Sequence, residues 1–290
     1  MHIFELSHAG PLVEMNSLIG CIGNVFASFN KTFYMCVEDQ FICITRKDVD
    51  LGPNTMVSNA PEFIDWQAEG VIVGGRVEVK QTKIELDNLV FDFNNIAVWK
   101  PWEPIKLASL EIINKNLHDI KDTEVECSCL LEMRIVSEEP LKRISDWLSK
   151  ALLTTNSTLQ TPPNSIEKLV GLGPGLTPSG DDFLGGIMVA LNSIRRGDVA
   201  LKLWSSISEK SKTLTGCISY SQMSAASNGY CCALFHQLIN SLISRRYIFS
   251  ASDVERINNI GKTSGWDFFE GVKLVLEVWV ASKKMKVVKL

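Results

Sequence analysis

The sequence has few of the features that mark metal or nucleic-acid sites. Its four histidines, at positions 2, 8, 118 and 236, are too scattered to suggest a ligand cluster. The formal net charge is −4, and no run of six or more like charges occurs. A broad electrostatic contact with nucleic acid is therefore excluded. We expect a protein without a nucleic-acid partner and without a bound metal.

Long apolar runs are also missing. The most apolar stretch, residues 272–280, is interrupted by Lys273 and Glu277 and does not have the length or character of a bilayer span. The opening residues, MHIFELSHAG, lack the basic and apolar regions of a signal peptide. These features predict a cytoplasmic protein with no membrane partner.

Cysteine is present without the spacing of a metal site. The eight cysteines lie at positions 21, 36, 43, 127, 129, 217, 231 and 232, most of them inside apolar runs. That placement is typical of small buried residues in a reducing compartment. Neither the Cys-x-Cys at 127–129 nor the adjacent pair at 231–232 has a histidine at zinc-site spacing. The sequence therefore predicts no structural metal and no cofactor.

The chain changes character near its middle. Residues 20–100 contain short β-rich runs separated by turn residues, such as FYMCVEDQFICIT, with a hairpin turn expected at Glu38-Asp39. Helix signals dominate from Pro140, and no strand is evident after residue 165. We predict an α+β protein: a strand-rich domain over residues 1–138, either a small barrel or a sandwich, followed by an all-α domain over residues 139–290.

Finer assignments follow from local patterns. Within residues 105–136, LASLEIINKNLHDI is typical of a helix and EVECSCLLEMRIV of a strand. A helix is also expected from PLKRISDWLSKALL, which begins at Pro140. Further helices are expected at about 166–170, 182–196, 198–212, 222–244, 252–260 and 265–282.

The most unusual segment is GLGPGLTPSGDDFLGG, residues 171–186, which holds six glycines and two prolines. Part of it recurs, because SGDDFLGGI at 179–187 and SGWDFFEGV at 264–272 share five of nine residues at an offset of 85. Either an internal repeat of an SGxDF helix start or convergence on one local role explains this. We expect the two helices to lie side by side, with Gly186 and Gly271 at their contact.

The repeated motif has a structural interpretation. Ser-x-x-Asp before an apolar run is typical of a capping box, with Ser179 or Ser264 as N-cap and Asp182 or Asp267 reaching back from the first turn. On this interpretation the serines and aspartates only stabilise helix starts. Because Asp182 recurs as Asp267 whereas Asp181 does not recur, we expect Asp182 to act mainly in capping and Asp181 mainly at a ligand.

Capping does not account for the preceding GLGPGLTP. Gly173 and Gly175 permit positive φ or close backbone approach, and the prolines stiffen the loop between them. Free amides at a helix N-terminus suit phosphate or carboxylate groups, so this loop predicts an anion site. A hydroxyl-rich segment, residues 214–230, lies between the two copies. Its hydroxyls need partners, which are each other, a ligand or solvent.

The sequence resembles the AllH-like family, which includes a subunit of oxamate carbamoyltransferase from anaerobic allantoin degradation. The resemblance is carried by three segments, residues 171–186, 214–230 and 264–272. The resemblance covers most of residues 165–280, and the first 160 residues share only a strand-rich character. It implies a subunit of a multi-subunit enzyme that transfers a carbamoyl group between carbamoyl phosphate and oxamate, with oxalurate as the other partner. The nearby cations in sequence are Lys262, Arg195 and Arg196, so the resemblance leaves room for charge from other enzyme subunits.

The candidate site follows from the motif and the resemblance. Asp181 and Asp182 are the candidate catalytic residues, orienting an amide nitrogen or a metal. The candidate substrate-binding residues are Gly173, Gly175, Thr177, Ser179, Gly180, Thr215, Ser219, Ser221, Ser264, Gly265 and Asp267. The alternative is a non-catalytic assembly or regulatory subunit that binds an anionic metabolite, because the sequence shows no nucleophile–base pair near the motif.

Overall fold

The computed structural model describes residues 2–101, 106–122, 139–154 and 159–288, with side chains described as far as residue 284. The chain divides into two compact units, Met1–Glu103 and Pro104–Leu290. The predicted domain boundary at 138/139 adjoins residues 123–138, which lie outside the described residues together with the strand expected there, and it stays a prediction.

The first unit is a closed eight-stranded β-barrel, which decides between the barrel and the sandwich expected from the sequence. Closure occurs at β1, which pairs antiparallel with β5 and parallel with β8, while β9 extends the sheet beside the end of β1. The strand order is β5-β4-β3-β2-β6-β7-β8-β1-β9. The strands are β1 His2–Ala9, β2 Ile22–Ser28, β3 Thr32–Val37, β4 Gln40–Thr45, β5 Thr55–Ser58, β6 Arg76–Val79, β7 Lys83–Leu86, β8 Leu89–Asp92 and β9 Ala97–Val98.

Alternating apolar residues fill the interior of this barrel. Phe33, Trp66 and Phe91 are almost completely buried and contact one another through their rings. The predicted hairpin at Glu38-Asp39 is confirmed, since β3 and β4 pair across it and Glu38 has a φ of 51°. Strand β1 lies before the region in which strands were expected. A short helix, α1 Met15–Leu18, follows it.

The second unit is helical, and no strand occurs among its described residues. The predicted helical character of this part of the chain is therefore confirmed. Its helices are α2 Leu110–Asp122, α3 Glu139–Ala151, α4 Ser179–Ser193, α5 Gly197–Leu214, α6 Cys217–Ser227, α7 Ala233–Ser244, α8 Ala251–Asn258 and α9 Ser264–Val288, with a 3-10 helix at Asn164–Leu169. None of the described helices is both long and apolar enough to cross a membrane.

One predicted helix is wrong. Residues 222–244 form parts of two helices, because α6 ends at Ser227 and α7 begins at Ala233. Gly229 has a φ of 87°, which ends α6 in the left-handed conformation that glycine adopts without strain. The amides of Gly229 and Tyr230 bond to the carbonyls of Ala226 and Ala225, the pair of bonds that defines a Schellman motif. This break turns α7 away from the hydroxyl-rich helix α6.

Helix α4 lies at the centre of the second unit. Twelve of its fifteen residues are buried, so it is apolar on every side, as a helix enclosed by others must be. It packs against α5, α6 and α9, and α9 is its most extensive neighbour. The motif residues at its start are therefore held by several helices at once.

Candidate functional site

The two SGxDF helices contact each other through equivalent glycines. A Cβ built on Gly186 of α4 would lie 2.0 Å from the carbonyl oxygen of Phe268, and one built on Gly271 of α9 would lie 2.1 Å from that of Phe183. Each glycine thus admits the backbone of the opposite helix at the equivalent place. The predicted contact of Gly186 and Gly271 is therefore confirmed.

The starts of α4 and α9 meet directly. The hydroxyl oxygen of Thr177, two residues before α4, lies 2.9 Å from that of Ser264, the first residue of α9. These residues are 87 positions apart in the sequence. The positive, N-terminal ends of two helix dipoles are therefore adjacent.

The predicted capping box at α4 is wrong. Pro178, not Ser179, is the N-cap, and no side chain caps this helix. The amides of Asp181 and Asp182 both bond to the Pro178 carbonyl, so Ser179 is already helical. The fixed φ of proline is compatible with the extended conformation of this position, at φ −57° and ψ 143°.

A capping box does form elsewhere, at the start of α8. Ser250 accepts from the amide of Asp253, and the Asp253 carboxylate accepts from the Ser250 amide. This Ser-x-x-Asp was not among the predicted boxes, although it has the same spacing. Spacing alone therefore did not distinguish a capping aspartate from one with other contacts.

Asp181 is a buried hydrogen-bond acceptor inside the protein. It is 2% exposed, and its carboxylate accepts from the Gly171 amide at 2.8 Å, from the Ser219 hydroxyl at 2.6 Å and from the Thr215 hydroxyl. The predicted residues Thr215 and Ser219 are thus brought to the motif, and Asp181 is the partner that their hydroxyls needed. Asp181 ties the glycine-rich loop to the start of α6. Ser221 lies farther along α6 and is partly exposed.

Asp182 lies on the other side of the helix start, facing α9. Burial raises the pKa of its carboxyl well above the usual value, the hydroxyls of Ser264 and Thr177 partly offset this through hydrogen bonding, and the charges of Asp267 and Asp181 raise the pKa further. Asp267, the equivalent residue of α9, is fully buried. We call Asp182 and Asp267 the acidic pair.

One carboxyl oxygen of Asp182 is left unsatisfied. Although Asp182 as a residue is partly exposed, its Oδ2 atom is buried and has no hydrogen-bond partner within the described part of the chain. An unsatisfied buried polar atom costs free energy, which a ligand that forms a hydrogen bond with it recovers. Across the described ranges, no group of three or more His, Cys, Asp or Glu side chains is placed to hold a metal ion.

The raised pKa of Asp182 leads to a test in the unliganded protein. The folded chain holds a proton that the unfolded chain releases above about pH 4, so stability from this carboxyl is lost as the pH rises through its folded pKa. Asp182→Asn removes this titration. We expect the variant to gain stability relative to the native chain as the pH rises above about 4, measured by urea unfolding at each pH. A pH-independent difference contradicts the assignment.

The glycine-rich loop combines close packing with an exposed tip. A Cβ on Gly180 would lie 1.8 Å from the Leu169 carbonyl oxygen, and one on Gly173, at φ 116°, would lie 2.9 Å from the Ser179 nitrogen. Gly265 packs in the same way, against the Ile257 carbonyl at 2.5 Å. Gly175 differs, because a Cβ there meets nothing within 4 Å. Gly173, Gly180 and Gly265 therefore allow close packing at the helix starts. Gly175 instead leaves space at the loop tip.

The predicted cation Arg196 is already paired. Its guanidinium donates two hydrogen bonds of 2.8 Å to Asp198, near the C-terminal end of α4. It therefore lies at the opposite end of the helix from the motif. Lys262 is exposed in the turn that precedes α9.

Comparison with known proteins identifies the segment that carries this site. Residues 169–276 match the family model described as oxamate carbamoyltransferase subunit AllH. The resemblance noted in the sequence is confirmed over that range, which runs from the glycine-rich loop through most of the contact with α9. The barrel unit lies outside the match. No solved structure matches the chain.

Proposed function

We propose that this chain is a subunit of a carbamoyltransferase and that it binds a small substrate where α4 and α9 begin. The observation that carries the proposal is the meeting of Thr177 and Asp182 with Ser264 and Asp267 at one place. These residues come from opposite ends of the segment that matches the AllH family. A family-specific segment whose two ends build one polar cluster is the part of this chain best suited to hold a ligand.

The chemistry of the site fits small anionic substrates. The N-termini of two helices meet here, and the positive dipole ends of helices attract phosphate and carboxylate groups. Carbamoyl phosphate and oxamate both carry such groups. In this proposal the anion lies near Gly173, Gly175, Thr177, Ser179 and Gly180, with Ser264, Gly265 and Asp267 contributed by α9. The Gly180 amide itself already donates to the Leu172 carbonyl.

The two adjacent aspartates have different roles in this proposal. Asp181 is a positioning residue, since its three hydrogen bonds hold the loop and α6 to the start of α4. Asp182 touches the ligand, since it has an unused acceptor atom and faces α9. The assignment is the reverse of the one favoured by the repeat alone.

The cluster itself consists of hydroxyl and carboxyl side chains. Transfer from carbamoyl phosphate requires stabilisation of the charge on the departing phosphate, which preorganised amides and cations supply. The positive dipole ends of the two helices and the glycine-rich loop provide the first part here. Other subunits of the enzyme provide the cations, in agreement with the family name, which describes a subunit.

A second candidate is a non-catalytic subunit that binds an anionic metabolite and regulates or assembles the enzyme. It is favoured by the hydrogen bonds of Asp181, because its buried carboxylate accepts from donors of its own chain. The two functions share the binding site and differ in whether substitutions there affect transfer itself.

Activity of the assembled enzyme separates these functions. Carbamoyl transfer from carbamoyl phosphate to oxamate is measured with the full chain alone and with the proteins of its neighbouring genes. Thr177→Val is expected to lower kcat/KM by about tenfold, because it removes one hydroxyl from the cluster. Ser205→Ala, which removes an exposed hydroxyl bonded only to the Lys202 carbonyl, is the control.

The outcomes are distinct. A loss of kcat/KM in Thr177→Val but not in Ser205→Ala supports a substrate site on this chain. Transfer that is unchanged in Thr177→Val, in an assembly that binds oxamate through this chain, favours the regulatory subunit. An assembly that neither binds nor transfers contradicts both functions.

A further inference from the structure

We propose that the acidic pair recognises the N–H-bearing end of the ligand, a primary amide, and not its anionic end. This inference rests on the proposed function, because it assigns an orientation to the substrate within that site. It concerns the side chains of Asp182 and Asp267 and the hydroxyl pair of Thr177 and Ser264.

The first support is the unused acceptor. The Oδ2 atom of Asp182 is buried without a hydrogen-bond partner within the described ranges. The neighbouring hydroxyls of Thr177 and Ser264 contact each other at 2.9 Å, so part of their hydrogen-bonding capacity is already used. A ligand that supplies an N–H to Oδ2 removes the cost of this unsatisfied atom. A carboxylate or phosphate oxygen offers no donor to the ionised form of Asp182.

The second support is charge. Asp182 interacts with the charges of Asp267 on α9 and of Asp181 on its own helix, and both act against its ionisation. Asp181 is further enclosed by donors from the loop and from α6. Ionisation of Asp182 therefore leaves a negative site in a buried region. Such a site repels a carboxylate and attracts the positive end of an N–H dipole.

The two polar features bind opposite ends of the ligand in this proposal. The positive dipole ends of the two helices and the exposed loop tip at Gly175 favour an anion, whereas the ionised Asp182 carboxyl offers acceptors. A small molecule with a carboxylate at one end and an amide at the other matches both. Oxamate has this form, with its –NH2 on the carbon next to the carboxylate.

Pyruvate is the matched probe, because it has the size and the single negative charge of oxamate but a methyl group in place of the –NH2. The full chain, alone and assembled with the proteins of its neighbouring genes, is titrated calorimetrically with each compound. Oxamate is expected to bind at least about tenfold more tightly than pyruvate, since only oxamate donates to Asp182. The affinity for oxamate is expected to rise with pH, because an N–H donor binds the ionised carboxyl of Asp182.

Asp182→Asn tests the residue directly, and the surface replacement Asp87→Asn is the control for loss of one charge, since Asp87 is exposed in a left-handed turn that asparagine tolerates. Asp182→Asn is expected to abolish both the preference for oxamate and its pH dependence. Asp267→Asn is a second variant, and it is expected to reduce the preference. Melting curves of all three variants verify that they fold.

The inference and the proposed function fail in different ways. Equal binding of oxamate and pyruvate, or a preference that survives Asp182→Asn, overturns the amide assignment while the site remains. An affinity for oxamate that falls as the pH rises also overturns it, because the protonated carboxyl is then the binding form. Binding of neither compound by the chain or the assembly overturns the inference together with the proposed function.

Discussion

Gly186→Ala is expected to destabilise the helical unit by about 2–3 kcal/mol, even after the gain in helix propensity that alanine brings. The added methyl group would lie 2.0 Å from the Phe268 carbonyl oxygen. That atom belongs to the backbone of α9, so relief requires the two helices to separate. Separation also disturbs the reciprocal contact at Gly271.

Gly185→Ala is the matched control. It lies in the same helix, one residue earlier, and its added methyl group would meet the Phe268 ring at 3.5 Å, an ordinary contact. This variant is expected to be neutral or more stable, because alanine favours a helix over glycine. Urea unfolding followed by circular dichroism measures both variants. Equal stability of the two variants contradicts the close packing of α4 on α9.

Asp181→Ala is expected to lower stability by about 3 kcal/mol or more, because it leaves buried donors without an acceptor. The affected donors are the Gly171 amide and the hydroxyls of Thr215 and Ser219. The glycine-rich loop and the start of α6 lose their shared anchor. Ligand binding weakens as a consequence of the displaced loop.

Asp182→Asn is the comparison for this change, since it replaces the next residue and also removes a carboxyl group. It is expected to leave the melting temperature unchanged or higher near neutral pH, because burial disfavours the charged form of this carboxyl. Differential scanning calorimetry gives both values. If Asp182→Asn melts early and Asp181→Ala does not, the roles assigned to the two aspartates are wrong.

Periodic patterns predicted much of the fold. The alternating residues of β3 and β4 and the turn between them were evident, because alternation has a single structural solution for a half-buried strand. The glycines of the repeat correctly indicated the contact between α4 and α9, because equivalent small residues on two helices permit close approach. Closure of the barrel was not predicted, since the pairing of β1 with β5 and β8 joins segments far apart in sequence.

The polar site was predicted less completely. Asp181, Asp182 and the hydroxyl-rich segment were all identified as candidates, but their partners depend on tertiary contacts. Nothing local indicates that Thr215 and Ser219 reach Asp181, or that Thr177 reaches Ser264. The capping role was assigned wrongly at Ser179 because Pro178 holds the N-cap position. The break at Gly229 had a local signal, the Asn-Gly pair, within an otherwise apolar helical pattern.

The distance in sequence between α4 and α9 has a consequence during synthesis. The ribosome completes α4 well before α9. The face of α4 that packs against α9 therefore remains exposed until α9 is synthesised. During that interval the nascent chain exposes apolar surface to chaperones and proteases. The polar cluster assembles only when the last described helix docks. Production of a binding-competent chain is therefore coupled to completion of its helical unit, and abortive products that end before α9 lack the site altogether.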